Sequence, residues 1–211
     1  MAARRAVRSR RLPYDIVAIG ASWGGVEMLV QIVRQLPQDW PLPVVIVQHQ
    51  HPNSGTALQY ILGRLTALPV VDVEDKEAIV PGCIYIAPAN YHLLVENNRS
   101  FSLNVTAPVH FSRPSIDVTF ESMARVFHER CIGIILTGAN EDGAAGMKRI
   151  RAEGGHTLAQ APATAEAPAM PAAAIAAGAV DVVLDPLEIV PHLQQVLSRG
   201  RDDAAKHSHR G

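Results

Sequence analysis

The feature that most constrains this chain is a repeated alternation between short apolar runs and stretches of helical spacing. The runs YDIVAIGA, PVVIVQH, PVVDV, CIGIILTG, HTLAQ and VDVVL show little polar alternation, as strands buried on both faces should. Between them, Val26, Leu29, Val30, Val33 and Leu36 recur at helical spacing, and so do Leu58, Ile61, Leu62 and Leu65. Further helices are predicted over residues 117–129 and 143–153, after Pro171, and through Leu197. Strand and helix in strict turn predict an α/β fold: a doubly wound, mainly parallel sheet with helices on both faces. Between residues 82 and 106 the rhythm changes to short strands with Asn97 and Asn98 as a hairpin turn, which predicts a small antiparallel β excursion.

A chain of 211 residues with 48% hydrophobic content is long enough to bury one α/β core. Residues 1–13 carry Arg4, Arg5, Arg8, Arg10 and Arg11 and are expected to form a solvated, flexible arm. Residues 14–198 form the expected domain, and residues 199–211, with few apolar anchors, are expected to be disordered. Cys83 and Cys131 lie beside apolar runs and read as small buried hydrophobes in a reducing cytoplasm. No segment is apolar enough over sufficient length to span a membrane, and nothing points to nucleic acid.

In such a sheet, chemistry gathers at the carboxyl ends of the strands. GASWG, at residues 20–24, matches G-x-S-x-G, in which flanking glycines allow a sharp turn that exposes Ser22. The plain alternative for Ser22 is a helix N-cap. His49 closes the second strand and can serve as the base that a serine hydroxyl needs at neutral pH. His51 is two residues on, but Pro52 stops the strand and a third ligand is missing, so no metal is expected. Asp142 precedes a helix at the end of another apolar strand, where it is either a cap or the third member of a triad.

Taken in order, IGASWGG, VIVQHQHP, VPGCIYIAPANYHL, FSRPSIDVTFESMA, ILTGANEDGAAGM and AMP resemble the catalytic domain of the bacterial chemotaxis protein-glutamate methylesterases, the CheB family, over about residues 14–197. The resemblance implies Ser22 as nucleophile, His49 as general base and Asp142 as the orienting acid. It also implies hydrolysis of glutamyl methyl esters on the cytoplasmic helices of methylated chemoreceptors, with glutamine deamidation as a candidate second reaction and no cofactor. The backbone N–H groups of Trp23 and Ala139 would hold the oxyanion, and Arg113 and Met170 are the candidates for substrate binding. Trp23 stands where the family usually has a small residue or Thr, Ala139-Asn140 replaces Met-Gly, and Ala172 follows AMP where Arg is common. Members of the family usually carry a receiver domain ahead of this one. With only residues 1–13 before the first strand, a stand-alone form is expected, either constitutively active or gated by a separate receiver protein.

Two readings from other classes compete. A short-chain-dehydrogenase-like oxidoreductase would explain VAIGAS and its glycines, yet no tyrosine has a lysine four residues on, and Gln48 and His49 stand where a ribose-binding acid should be. A non-enzymatic signalling module would have no need of serine, histidine and aspartate together.

Overall fold

The computed structural model of the protein describes residues 12–207 apart from 52 and 54, with side chains as far as residue 198. The chain runs β1 (Ile16–Ala21), α1 (Gly25–Gln35), β2 (Val44–Gln48), α2 (Ala57–Gly63), β3 (Val70–Asp72) and β4 (Ile84–Ile86). The hairpin of β5 (His92–Val95) and β6 (Phe101–Asn104) follows, then α3 (Ile116–Phe127), β7 (Cys131–Ile135), α4 (Ala144–Ala152) and β8 (His156–Gln160). α5 (Ala169–Ala176), β9 (Val182–Leu184) and α6 (Pro186–His207) complete it. Seven strands form one sheet in the order β3-β4-β2-β1-β7-β8-β9, and every pairing in it is parallel.

Side chains of successive strand residues alternate between two apolar layers, which is why the strands carry no polar face. Ile16 and Ala18 of β1 pack with Phe120 and Met123 of α3, Met147 and Ile150 of α4, and Ala174 of α5. Val17, Ile19 and Ala21 face the other layer, built from Leu29, Ile32 and Val33 of α1, Leu58 and Leu62 of α2, and Ile189 and Leu193 of α6. Each of the larger of these side chains, Val, Leu, Ile, Met or Phe, contributes roughly 1.5–3 kcal/mol on burial. Cys83 and Cys131 are free and buried, as the sequence suggests.

Three boundaries differ from the sequence reading. β4, expected within the antiparallel excursion, lies inside the main sheet between β3 and β2, and only β5 and β6 are antiparallel. Ile84, Tyr85 and Ile86 are followed by β5 and β6 with no helix between, so the segment read as part of the excursion and not as a central strand. α6 continues to His207, past the expected domain end at 198, because a helix once formed extends at one hydrogen bond per residue added. At the other end, Arg130 donates to the carbonyls of Leu12 and Pro13 and forks onto Asp15, fastening residues 12–15 to the start of β7. The rest of the expected arm, residues 1–11, lies outside the described residues, as do 208–211.

β1 is the topological switch point, since the chain winds outward to β2 on one side and to β7 on the other. The crevice beyond its carboxyl end is where such sheets bind ligands.

Candidate active site

Ser22 follows β1 directly. Its N–H donates to Thr137 O at 2.9 Å, and its carbonyl accepts from Gly25 N at 2.9 Å and from Gln48 Nε2 at 2.8 Å. The chain can turn this sharply into α1 because Gly24 adopts φ 74°, a conformation that disfavours other residues. Gly24 is the N-cap of α1, and no side chain caps it. The hydroxyl of Ser22 is therefore not used as a cap; its Oγ lies 3.1 Å from His49 Nδ1.

His49 extends β2 by one residue, with its N–H bonded to Ala21 O at 3.0 Å, and that register sets its ring beside Ser22. Nε2 is 2.8 Å from Asp142 Oδ2. The chain of contacts is thus Ser22 Oγ, His49 Nδ1, His49 Nε2, Asp142 Oδ2. With the Nε2 proton donated to the carboxylate, Nδ1 is left as the acceptor for the serine hydroxyl. The two ring nitrogens exchange the roles they have in the chymotrypsin-type triad, and the chemistry is unaltered. A second hydroxyl, Ser112 Oγ, lies 3.2 Å from the same Nδ1. His51 Nδ1 accepts from Asn53 N at 3.3 Å.

Asp142 is fully buried. The N-cap of α4 is Gly143, so Asp142 does not cap the helix it precedes. It instead closes the amino end of α3. Oδ1 accepts from Ser115 Oγ at 2.8 Å and Asp117 N at 3.0 Å, and Oδ2 from Ile116 N at 2.7 Å as well as from His49. Burial alone would raise its pKa, but the His49 bond and the Asp117 and Ile116 N–H groups outweigh it and hold the carboxyl below the ordinary aspartate value. Asp142 is therefore ionised at neutral pH. Its neighbour Asp117 is pushed the other way, upward, by burial, against the opposing donation of Gly146 N at 2.7 Å.

Side-chain oxygens or nitrogens of His110, Asp117 and Asp142 come within 4.8 Å of one another, close enough to suggest a cation site. Both Asp142 oxygens already accept two hydrogen bonds each, however, so no lone pair is left to coordinate.

The N–H groups of Trp23 and Ala139 have no acceptor among the described residues. The segment that carries Ala139 is braced by Gly138 N to Ala167 O and Met170 N to Gly138 O, both 2.9 Å, and by Thr137 Oγ1 to Trp23 O at 2.9 Å. The indole of Trp23 is 66% exposed and donates to Glu166 Oε1 at 2.7 Å. Met170, expected at the substrate mouth, is fully buried, and its thioether fills the space a Cβ would need at Gly138. It is a support under the loop and does not face the cleft; being apolar in an alanine-rich helix, it was taken inward by the core. Arg113 lines a hollow of about 300 Å³ together with His49, Gln50 and Asn90. Its Nη1 donates to Val105 O at 3.0 Å and Thr106 O at 2.9 Å, and its buried Nε has no partner.

Sequence reasoning missed Ser112, Ser115, Gln48 and Glu166. Only Ser115 left a signal, as a serine immediately before a helical pattern, and it does cap α3 through Val118 N.

A family model described as CheB methylesterase matches residues 17–193. A Leptospira interrogans protein with a provisional protein-glutamate methylesterase/protein-glutamine glutaminase name is 45% identical over 81% of this chain and 89% of its own length. The protein-glutamate methylesterase/protein-glutamine glutaminase of Symbiobacterium thermophilum is 38% identical over 90% of this chain, which spans 52% of that protein. The crystal structure of the Thermotoga maritima CheB methylesterase catalytic domain superposes with a TM-score of 0.82 at 32% identity, covering 88% of this chain and 98% of that one.

Proposed function

The chain belongs to the CheB methylesterase family, and from that premise we propose that it hydrolyses γ-glutamyl methyl esters on the cytoplasmic helices of methylated chemoreceptors. The observation that carries this reading is the linked geometry of Ser22, His49 and Asp142 at the switch point, with contacts of 3.1 and 2.8 Å. Ser22 Oγ attacks the ester carbonyl as His49 Nδ1 takes its proton. The tetrahedral oxyanion is received by the N–H groups of Trp23 and Ala139, each of which is worth about 10²–10³ in rate by the measure of other oxyanion holes. Collapse expels methanol, protonated from His49, and leaves the glutamyl group esterified to Ser22. Water, deprotonated by His49, then cleaves that ester to free the carboxylate and Ser22. A glutamine amide follows the same course with ammonia as the leaving group.

Asp142 holds Nε2–H throughout and stabilises the imidazolium in between. Arg113 is the proposed contact for acidic groups of the substrate, since its guanidinium bonds only to backbone carbonyls among the described residues. No described helix is long and apolar enough to cross a membrane. Incubation with receptor bearing labelled methyl esters should release labelled methanol, and a serine-directed phosphonate should stop it. Receptor that keeps all its label would refute the assignment.

A further inference from the structure

The turn over residues 109–112 carries the most exposed large apolar residue of the described chain, Phe111, at 104%. Val109 N bonds to Ser112 O at 3.1 Å and Ser112 N to Val109 O at 2.8 Å, closing a two-residue hairpin loop. Both loop residues have positive φ, His110 at 47° and Phe111 at 61°, in positions that hairpins commonly give to Asn and Gly. A phenylalanine here is conformationally disfavoured and packs on nothing, so the stability of the fold does not account for it.

The turn is nevertheless held firmly against the active site from three sides. Ser112 Oγ is 3.2 Å from His49 Nδ1, Asn140 Nδ2 donates to His110 O at 3.3 Å, and His110 Nε2 lies 3.4 Å from Asp117 Oδ2. Phe111 therefore has a fixed place, two hydrogen-bond lengths and one residue from Ser22. Its ring stands between the hollow shared by His49 and Arg113 and a second, of about 450 Å³, shared by Asn140, Glu141, Ala169 and Ala173.

We propose that Phe111 is a docking residue for the polypeptide that carries the esterified glutamate: an apolar side chain of that segment covers its ring while the ester reaches Ser22. The inference rests on the methylesterase reading. A glutamyl side chain is short, so a substrate helix, about 10 Å across, must lie over the rim of the cleft while its ester is at Ser22. Phe111 is part of that rim, continuous with the hollow that contains His49. A small free ester enters the same cleft with no polypeptide to dock. The ring thus selects receptor segments over small esters.

The test is the ratio of kcat/KM for methylated receptor to kcat/KM for the γ-methyl ester of a blocked glutamate. Phe111→Asn suits the positive φ, so the turn is kept while the ring is lost. The ratio is expected to fall about tenfold or more, carried by KM for receptor, and Phe111→Leu should restore most of it. An unchanged ratio, with receptor still cleaved, would overturn the docking role alone. Loss of a dimer in sedimentation with the ratio unchanged would overturn it too, by giving the ring to a second copy of the chain. Wild type that cleaves the small ester but leaves receptor intact would refute the methylesterase reading, and the docking role with it.

Discussion

Replacing Asp142 with Asn is nearly isosteric, yet the surroundings of the carboxylate make it a severe change. Four donors converge on the two oxygens: Ser115 Oγ and Asp117 N on one, Ile116 N and His49 Nε2 on the other. An amide offers one oxygen and one NH₂ group. If the NH₂ replaces Oδ1, the Asp117 N–H is left facing a donor; if it replaces Oδ2, the Ile116 N–H is orphaned and His49 must give up its Nε2 proton. The second arrangement moves that proton to Nδ1, the atom that must accept from Ser22. Either way one buried N–H loses its partner, at about 1–3 kcal/mol. Loss of the anion from the amino end of α3 adds up to about 2 kcal/mol. The urea midpoint should therefore fall by an amount corresponding to about 1–5 kcal/mol.

Ester hydrolysis should drop by about 10⁴, as in other triads whose aspartate is made asparagine, equivalent to about 5 kcal/mol of transition-state stabilisation. The pH dependence has a definite sign. The folded-state pKa of Asp142 is depressed below its ordinary value of 3.8, so its contribution is full above that value and is lost as pH falls through the lower, folded one. Wild type should lose its advantage over the Asn variant across that acid window, and the two urea curves should converge. A variant that hydrolyses ester within tenfold of wild type, or a stability gap independent of pH, would refute this account of Asp142.

Two further substitutions probe the supports. Ser115→Ala removes both the cap of α3 and one donor to Asp142, and should cost about 1–3 kcal/mol by thermal melting with a smaller loss of rate than Asp142→Asn. Met170→Ala leaves a cavity beneath Gly138 and should cost about 2–5 kcal/mol; because the loop it supports carries Ala139, kcat for a small ester should fall while KM changes little.

The sheet was legible because six of its seven strands are apolar runs long enough to stand out between helical periods. The seventh, Ile84–Ile86, is no shorter than β3 or β9, but it is followed closely by the hairpin strands rather than by a helix and was absorbed into that region. Ser22, His49 and Asp142 were legible from position, the first two directly after apolar strands and the third in the loop between β7 and α4. Position alone left their roles open, because serine and aspartate at those places are equally good helix caps; the motif resemblance supplied the roles, and the coordinates put glycines at both N-caps. Met170 shows the reverse failure: its place in a motif suggested substrate, and burial assigned it to the core. Glu166, bonded to Trp23 from 143 residues away, and Ser112, 63 residues from His49, had no local pattern to reveal them. Such contacts are made by the winding of the sheet and not by spacing along the chain.

The nucleophile is the center of the mechanism, and Ser22→Ala tests it most directly. Methylated receptor should be incubated with wild type and with the variant at equal concentration, and labelled methanol measured over time. The expected result is steady release by wild type and, from the variant, a rate lower by several orders of magnitude with an unchanged melting temperature. Equal release by the two proteins would contradict the assignment of Ser22.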